Sequence, residues 1–251
     1  MITRKSKREV EQMQKAADIL VACHKEIAKM IKPGITTMEI DQFVESFLSK
    51  HNATPEQKGF NGYEYATCAS INDEICHGFP RKEPLVDGDI VTIDMVVNYK
   101  GGLADSAWTY AVGNVDKKGL RLMDVTKKSL YKGIEQARAG NRIGDIGHAI
   151  QTYAESEGFS VVREFTGHGI GPTIHEPPHI PHFGEPGKGI RLKKGMVITI
   201  EPMINEGEWR SKMDSNEWTA RTIDAGRSAQ YEHTLVITDD DPLILTEQKD
   251  D

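Results

Sequence analysis

The chain repeats itself. A helical stripe of Ile40, Phe43, Val44, Phe47 and Leu48 returns 106 residues later as Ile146, Ala149, Ile150, Tyr153 and Ala154, with Gly140 placed like Gly34. The strand-like run DGDIVTID (87–94) lines up with KKGMVITIE (193–201) at an offset of 107, matching Gly88 to Gly195, Thr92 to Thr199, Ile93 to Ile200 and Asp94 to Glu201. Helix and strand periods that recur at nearly one offset predict an α+β chain of two similar halves, about 4–113 and 116–238, related by a pseudo-twofold. The natural pocket of such a fold lies on the axis between them. The whole of 1–251 reads as one domain, closing in a short acidic tail within TDDDPLILTEQKDD.

Local signals fill in each half. Ser6 and Glu9 form a capping-box pattern ahead of a stripe through Val10, Met13, Ala17, Leu20, Val21, Ile27 and Ala28, and His24 reads as a partly buried member of that helix. Pro33 and Gly34 punctuate a second helix capped by Thr36 and Glu39. Two strand-like runs, 89–99 and 103–113, are joined by KGG, a hairpin signal. The second half offers a helix through Leu120, Met123, Leu130 and Ile134, then strands predicted at 160–166, 195–204 and 228–238. His148 falls off its helix stripe and reads as solvated.

The charged residues within the strands carry the chemistry. Asp94 interrupts IVTIDMVVNY and Glu201 interrupts MVITIEPMI, both otherwise apolar. A lone ionised carboxylate in a buried strand is costly unless something compensates it. The duplication aims Asp94 and Glu201 at the same axis. Asp105 in LADSAWTY and Glu232 in SAQYEHT add two more strand acids. Alternation puts Glu232 on one face with Gln230 and Thr234, and leaves His233 on the other, for packing. Four converging carboxylates repel. Two divalent cations balance them, and an oxygen-rich set with one imidazole suits Mn, Fe, Co or Zn.

One motif misleads. His175, Glu176, Pro177, Pro178 and His179 spell His-Glu-x-x-His, the helical zinc site of many metalloproteases. Prolines at the two middle positions remove that helix. Neither His175 nor His179 is expected to bind metal, and His179 and His182 receive no role.

The order Asp94, Asp105, His168 in GHGIG, Glu201 in TIEPM and Glu232 in AQYEHT, with ICHGFP and GHGIGPTIHEPP, resembles the type I, bacterial-type methionine aminopeptidases. The likeness runs from about residue 4 to 240. It implies the pita-bread fold around a dinuclear metal site. It implies that Asp94 chelates one metal, that Asp105 and Glu232 bridge two, and that His168 and Glu201 complete the second site. Glu201 is then the proton shuttle for a water or hydroxide between the metals. His175 and His77 face the substrate, His77 beside the scissile amide. A methionine pocket is implied at Phe60, Tyr63, Cys68, His77, Ile174 and Trp218. Phe60 and Ile174 depart from the tyrosine and phenylalanine often found there, and Gln57 stands where a cysteine can sit, which leaves pocket shape and inhibitor response open. A monovalent cation near Asn72 and Ser228 is also implied.

The implied activity is removal of the initiator methionine from nascent chains with a small second residue. An Xaa-Pro peptidase or a non-catalytic binding protein of the same fold are the alternatives. The aromatic pocket argues against the first and the complete ligand set against the second. Only 31 positions separate Glu201 from Glu232, too few for the long helical insertion of type II enzymes. No N-terminal zinc-binding extension and no larger N-terminal domain, as in prolidases, is expected. A net charge of −7 gives no sign of a nucleic-acid site. No apolar run suggests a membrane span or signal peptide, and the odd set Cys23, Cys68 and Cys76 suggests no disulfide scaffold. A cytoplasmic monomer with transient ribosome association is expected.

Overall fold

The computed structural model describes residues 2–248; the end of the expected acidic tail, 249–251, lies outside them. The chain opens with α1 (Lys7–Met30) and α2 (Thr37–Lys50), then β1 (Thr54–Pro55), β2 (Cys68–Ile71), β3 (Glu74–Cys76) and a long hairpin, β4 (Ile90–Tyr99) and β5 (Gly102–Ala111). A second helix pair follows, α3 (Lys117–Ile134) and α4 (Ile143–Ser156). After it come β6 (Ser160–Val161), β7 (Gly167–Gly169), β8 (Glu176–Ile180), β9 (Val197–Ile200), β10 (Met203–Asn205), β11 (Ser211–Met213), β12 (Ala220–Thr222), β13 (Ser228–Gln230), β14 (His233–Val236) and β15 (Leu243–Ile244).

The capping signals act as their chemistry requires. Ser6 and Glu9 cap α1 reciprocally, and Thr36 and Glu39 do the same for α2. Lys100 and Gly101 both take positive φ and turn β4 into β5, with Tyr99 opposite Gly102. The repeat extends to hydrogen bonds. Gly34 N–H donates to Leu85 O, and Leu85 N–H to Ile35 O, each at 2.8 Å. In the second half Gly140 N–H donates to Leu192 O at 3.0 Å and Leu192 N–H to Asn141 O at 2.8 Å. Gly34 and Gly140 both take positive φ, +95° and +101°, two residues before the N-cap of the second helix of each pair.

Two main cores result. Met13, Leu20, Ile27, Ile40, Val44 and Leu48 pack on Ile93, Met95 and Leu103 of the hairpin. Leu130, Ile134, Ile146 and Ile150 pack on Ile198, Ile200 and Leu235. Truncating any one of these fully buried leucines or isoleucines to alanine costs about 2–5 kcal/mol. The sheets follow suit, β1 and β2 with β5 around β4 on one side and β15-β14-β9-β7-β8 on the other. A polar seam joins them. Asp105 N–H donates to Thr234 Oγ1 at 3.0 Å, Thr234 Oγ1 returns a bond to Asp105 O at 2.8 Å, and Glu232 N–H donates to Ala107 O at 2.9 Å.

Three predicted strands are corrected. The run 160–166 keeps only β6, because residues 164–166 leave the sheet to line a cavity. The run 195–204 divides into β9 and β10 at Glu201 and Pro202, since proline has no N–H for a ladder. The run 228–238 divides at Tyr231 and Glu232, where Glu232 N–H turns to β5. β9 and β14 pair with each other, while β10 and β13 pair in a different sheet. Glu201 and Glu232 therefore sit at matching breaks between sheets.

His24 is also corrected. It is fully rather than partly buried, because the hairpin closes over α1. Its Nε2–H donates to Ser106 O at 3.3 Å, and Nδ1 lies 2.7 Å from the Tyr110 hydroxyl. Burial pushes its pKa down to about 4. A histidine held neutral this way costs stability as pH falls from its ordinary value near 6.5 toward 4, because only the unfolded chain can take the proton. Urea unfolding of His24→Leu and the parent should show a gap that narrows across that window, by at most about 1.4 kcal/mol per pH unit. A gap independent of pH would count against this account.

Candidate metal centre

Asp94, Asp105, His168, Glu201 and Glu232 line one cavity of about 590 Å³, whose wall also includes Cys76, His77, Phe165, His175, Met203 and Gln230. Asp94 comes from the middle of β4 and Asp105 from β5. His168 is the centre of β7, and Glu201 and Glu232 occupy the two strand breaks. One donor atom each from Asp105, His168 and Glu232 lies within 4.8 Å of the others, so these three could hold a metal ion. His168 Nε2 is 3.6 Å from Asp105 Oδ2 and 3.5 Å from Glu201 Oε1.

The surroundings orient each group. His168 donates from Nδ1 to Gly169 O at 3.0 Å, which leaves Nε2 as a free lone pair facing the carboxylates. Burial, reinforced by His175, lowers its pKa to about 4, so the ring is neutral. Thr199 Oγ1 accepts from His168 N–H at 3.1 Å and donates to Glu201 Oε1 at 2.9 Å. Gln230 Nε2 donates to Glu201 Oε2 at 3.3 Å. Glu201 N–H, left without a ladder partner, donates to the buried His182 Nε2 at 3.1 Å.

Electrostatics strain this arrangement. Burial pushes Asp94 up to about 7. Burial and then the Asp94 charge push Glu201 up to about 8. Asp105 and Glu232 are raised well above the carboxylate range by burial first and by the neighbouring carboxylates second. Asp105 Oδ1 and Glu232 Oε1 are buried with no hydrogen-bond partner. Buried acceptors without donors, a free imidazole nitrogen and mutual carboxylate repulsion are all relieved by divalent cations, so the donor set fits them.

The remaining sequence-predicted residues flank this cavity. His77 adopts φ +57° and its ring stands edge-on to Phe165 at 5.7 Å. Burial, then His175, lowers its pKa to about 4. His175 is exposed, its ring centroid 4.5 Å from that of His168 and 5.4 Å from that of Phe60. Trp218 reaches Tyr63 at 5.0 Å and His77 at 6.4 Å between centroids. Cys68 is buried opposite Asp94 across the β2–β4 pair, and Ile174 is buried beside His175. Phe60, Tyr63, Cys68, Ile174 and Trp218 are not among the residues lining this cavity; Phe60 touches His175, and Trp218 touches His77 and Tyr63. Asn72 and Ser228 meet through the backbone, Ser228 N–H donating to Asn72 O at 2.8 Å. The histidines of HEPPH lie on or beside strand β8, and no helix forms there. His233 packs away from the cavity, against Trp108 at 5.9 Å.

Several neighbours of the centre were not singled out from the sequence. Thr199 and Gln230 were legible by strand alternation, two residues from Glu201 and Glu232. His182, Phe165, Met203 and Cys76 carry no such signal, and His179 enters only as part of the cavity wall.

Comparison with known proteins agrees with this geometry. The model of metallopeptidase family M24 matches residues 11–239. Methionine aminopeptidase 1 of Bacillus subtilis (strain 168) is 48% identical over 246 residues, covering 98% of this chain and 99% of that protein. The crystal structure of methionine aminopeptidase from Rickettsia prowazekii superposes with a TM-score of 0.97 at 40% identity, covering 98% of this chain and all of that one. An Xaa-Pro dipeptidase from Bacillus anthracis, 22% identical with a TM-score of 0.78 over 99% of this chain and 63% of its own, shares the fold alone. The pita-bread architecture, the acid-rich cavity and the near full-length identity lead to one conclusion: the chain belongs to metallopeptidase family M24, among its methionine aminopeptidases.

Proposed function

We propose that this chain removes the N-terminal methionine from newly made proteins whose second residue is small. The observation that carries the reading is the acid-rich cavity in a chain nearly half identical to methionine aminopeptidases along its length. Asp94, Asp105, His168, Glu201 and Glu232 would hold two divalent ions of Mn, Fe, Co or Zn. Bound ions of this kind supply Lewis acidity and make water a nucleophile at neutral pH.

The side chains do the rest. Glu201, its two oxygens steadied by Thr199 and Gln230, takes a proton from the attacking water and releases it to the leaving amine. A ring N–H of His175 can donate to the substrate carbonyl as negative charge develops there; partial burial, then His179, lowers its pKa. His77 lies beside the scissile amide. Phe60, Tyr63, Cys68, Ile174 and Trp218 give the thioether a soft, aromatic surround. Asn72 and Ser228, joined by a backbone hydrogen bond, would hold a monovalent cation nearby. Among the described residues no helix is long and apolar enough to cross a membrane, and the three cysteines are free and buried. A monomer in the cytoplasm, meeting nascent chains through transient contact with the ribosome, accords with those features.

The direct test is hydrolysis of Met-Gly-Met-Met beside an Xaa-Pro dipeptide, with added Mn or Co; cleavage of the proline substrate alone overturns the reading. Glu201→Gln should lower kcat by about 10²–10⁴-fold. His168→Ala should weaken metal binding. His175→Ala should lower kcat by about 10²–10³-fold with metal affinity kept, and loss of metal there would reverse the two roles.

Protonation gives a second test. Burial raises the pKa of all four carboxyl groups, so the cluster retains protons near neutral pH that cations must displace. Calorimetric titration with Mn²⁺ at pH 7 should release protons, so the heat should vary with the ionisation enthalpy of the buffer. Apparent affinity should rise from pH 6 to pH 8. Heats that are identical across buffers would contradict the raised carboxyl pKa values.

A further inference from the structure

We propose that Lys5 is a positioning residue: its buried ion pair with Glu176 straps the amino-terminal arm to the segment carrying His175 and so aims that ring into the cavity. The inference rests on the reading of His175 as a substrate-binding group.

The arm, residues 2–6, has no regular structure, yet it is fixed at both levels of Lys5. The Lys5 N–H donates to Gly195 O at 2.6 Å, tying the arm to the turn before β9. The Lys5 side chain is only 4% exposed, and its Nζ lies 2.7 Å from Glu176 Oε2, itself on a side chain 16% exposed. The Thr3 hydroxyl donates to the same oxygen at 3.1 Å, and Lys5 Nζ also donates to Thr3 Oγ1. Lysines are almost never buried without a partner, so this one is held in place by Glu176.

A third segment closes around the pair. A Cβ on Gly171 would lie 2.4 Å from Lys5 Nζ and 2.6 Å from Glu176 Oε1, so the ion pair lies directly against this loop and any side chain there would displace it. Gly171 ends the GHGIG run that begins beside His168. Arm, GHGIG loop and β8 therefore meet at one buried charge pair.

The pair reaches the site through chain geometry. His175 immediately precedes Glu176 at the end of the bend 171–175, with its ring centroid 4.5 Å from that of His168. Fixing the Glu176 side chain fixes the stretch of backbone from which the His175 ring projects. Residues 171–175 carry no strand pairing, and the β7–β8 register slips between His168 and Gly169, opposite Glu176. The ladder is least regular where His175 leaves it, so the side-chain anchor at Glu176 sets the ring's direction.

Kinetics with Mn²⁺ on K5M, H175A, the double variant K5M/H175A and K5M/E176Q test this. K5M should lower kcat by roughly tenfold or more, as a small misplacement of a positioned group does, with Mn²⁺ affinity unchanged. In the H175A background K5M should change kcat by less than about twofold, since residues acting through one another are not additive. K5M/E176Q removes both charges, so its Tm should recover relative to K5M while kcat stays low; this variant also decides the matter if K5M folds poorly. Losses that multiply in K5M/H175A, a silent K5M, or kcat returning together with Tm overturn the strap while H175A still lowers kcat. A silent H175A overturns the reading of His175 itself, and the strap with it.

Discussion

Four carboxyl groups crowded around one cavity are the constraint on which the rest of this molecule depends. Left alone they resist ionisation, and Asp105 and Glu232 each keep a buried oxygen without a donor. Such a cluster survives only in a scaffold stable enough to hold it and with cations to neutralise it. The scaffold is visible in the two helix-backed cores, each packed on the strands that deliver the acids.

The seam between the halves converts that stability into position. β5 exchanges hydrogen bonds with the segment 230–234 through Thr109, Ser106 and Thr234. Asp105 and Glu232 are thereby set against one another. The strand breaks matter equally. Glu201 and Glu232 lie where a run of chain passes from one sheet to another, and their backbone N–H groups bond outside the usual ladder, to His182 and to Ala107. Asp94 and Asp105 reach the same cavity from within the unbroken strands β4 and β5. His168 presents its free nitrogen because Nδ1 is already committed to Gly169.

Much of this was legible in residues. Capping boxes at Ser6 and Thr36, the turn at Lys100 and Gly101, and the acids within apolar runs are local signals, and local physics fixes their outcome. The proline pair at 177 and 178 excluded a zincin helix for the same reason. His168 was different. Nothing in spacing separates it from His175 or His179, and only the resemblance to known aminopeptidases set it apart. The strand breaks at 163–166, 201–202 and 231–232 were read as continuous, because an apolar run looks the same whether it stays in one sheet or crosses between two. His24 was read as partly buried, since one helix stripe cannot reveal that a hairpin 80 residues on will cover it.

The sequence by itself determined the repeat, the helix pairs, the hairpin and the identity of the strand acids, because each depends on periodicity, turn chemistry or the cost of a buried charge within a few residues. Only the tertiary structure decided which acids meet, which imidazole nitrogen is free, that His182 backs Glu201, and that Lys5 reaches Glu176. The His182 and Lys5 contacts join residues 19 and 171 positions apart. Their geometry depends on how sheets pack across the seam, and that packing energy is not written in any local stretch of chain.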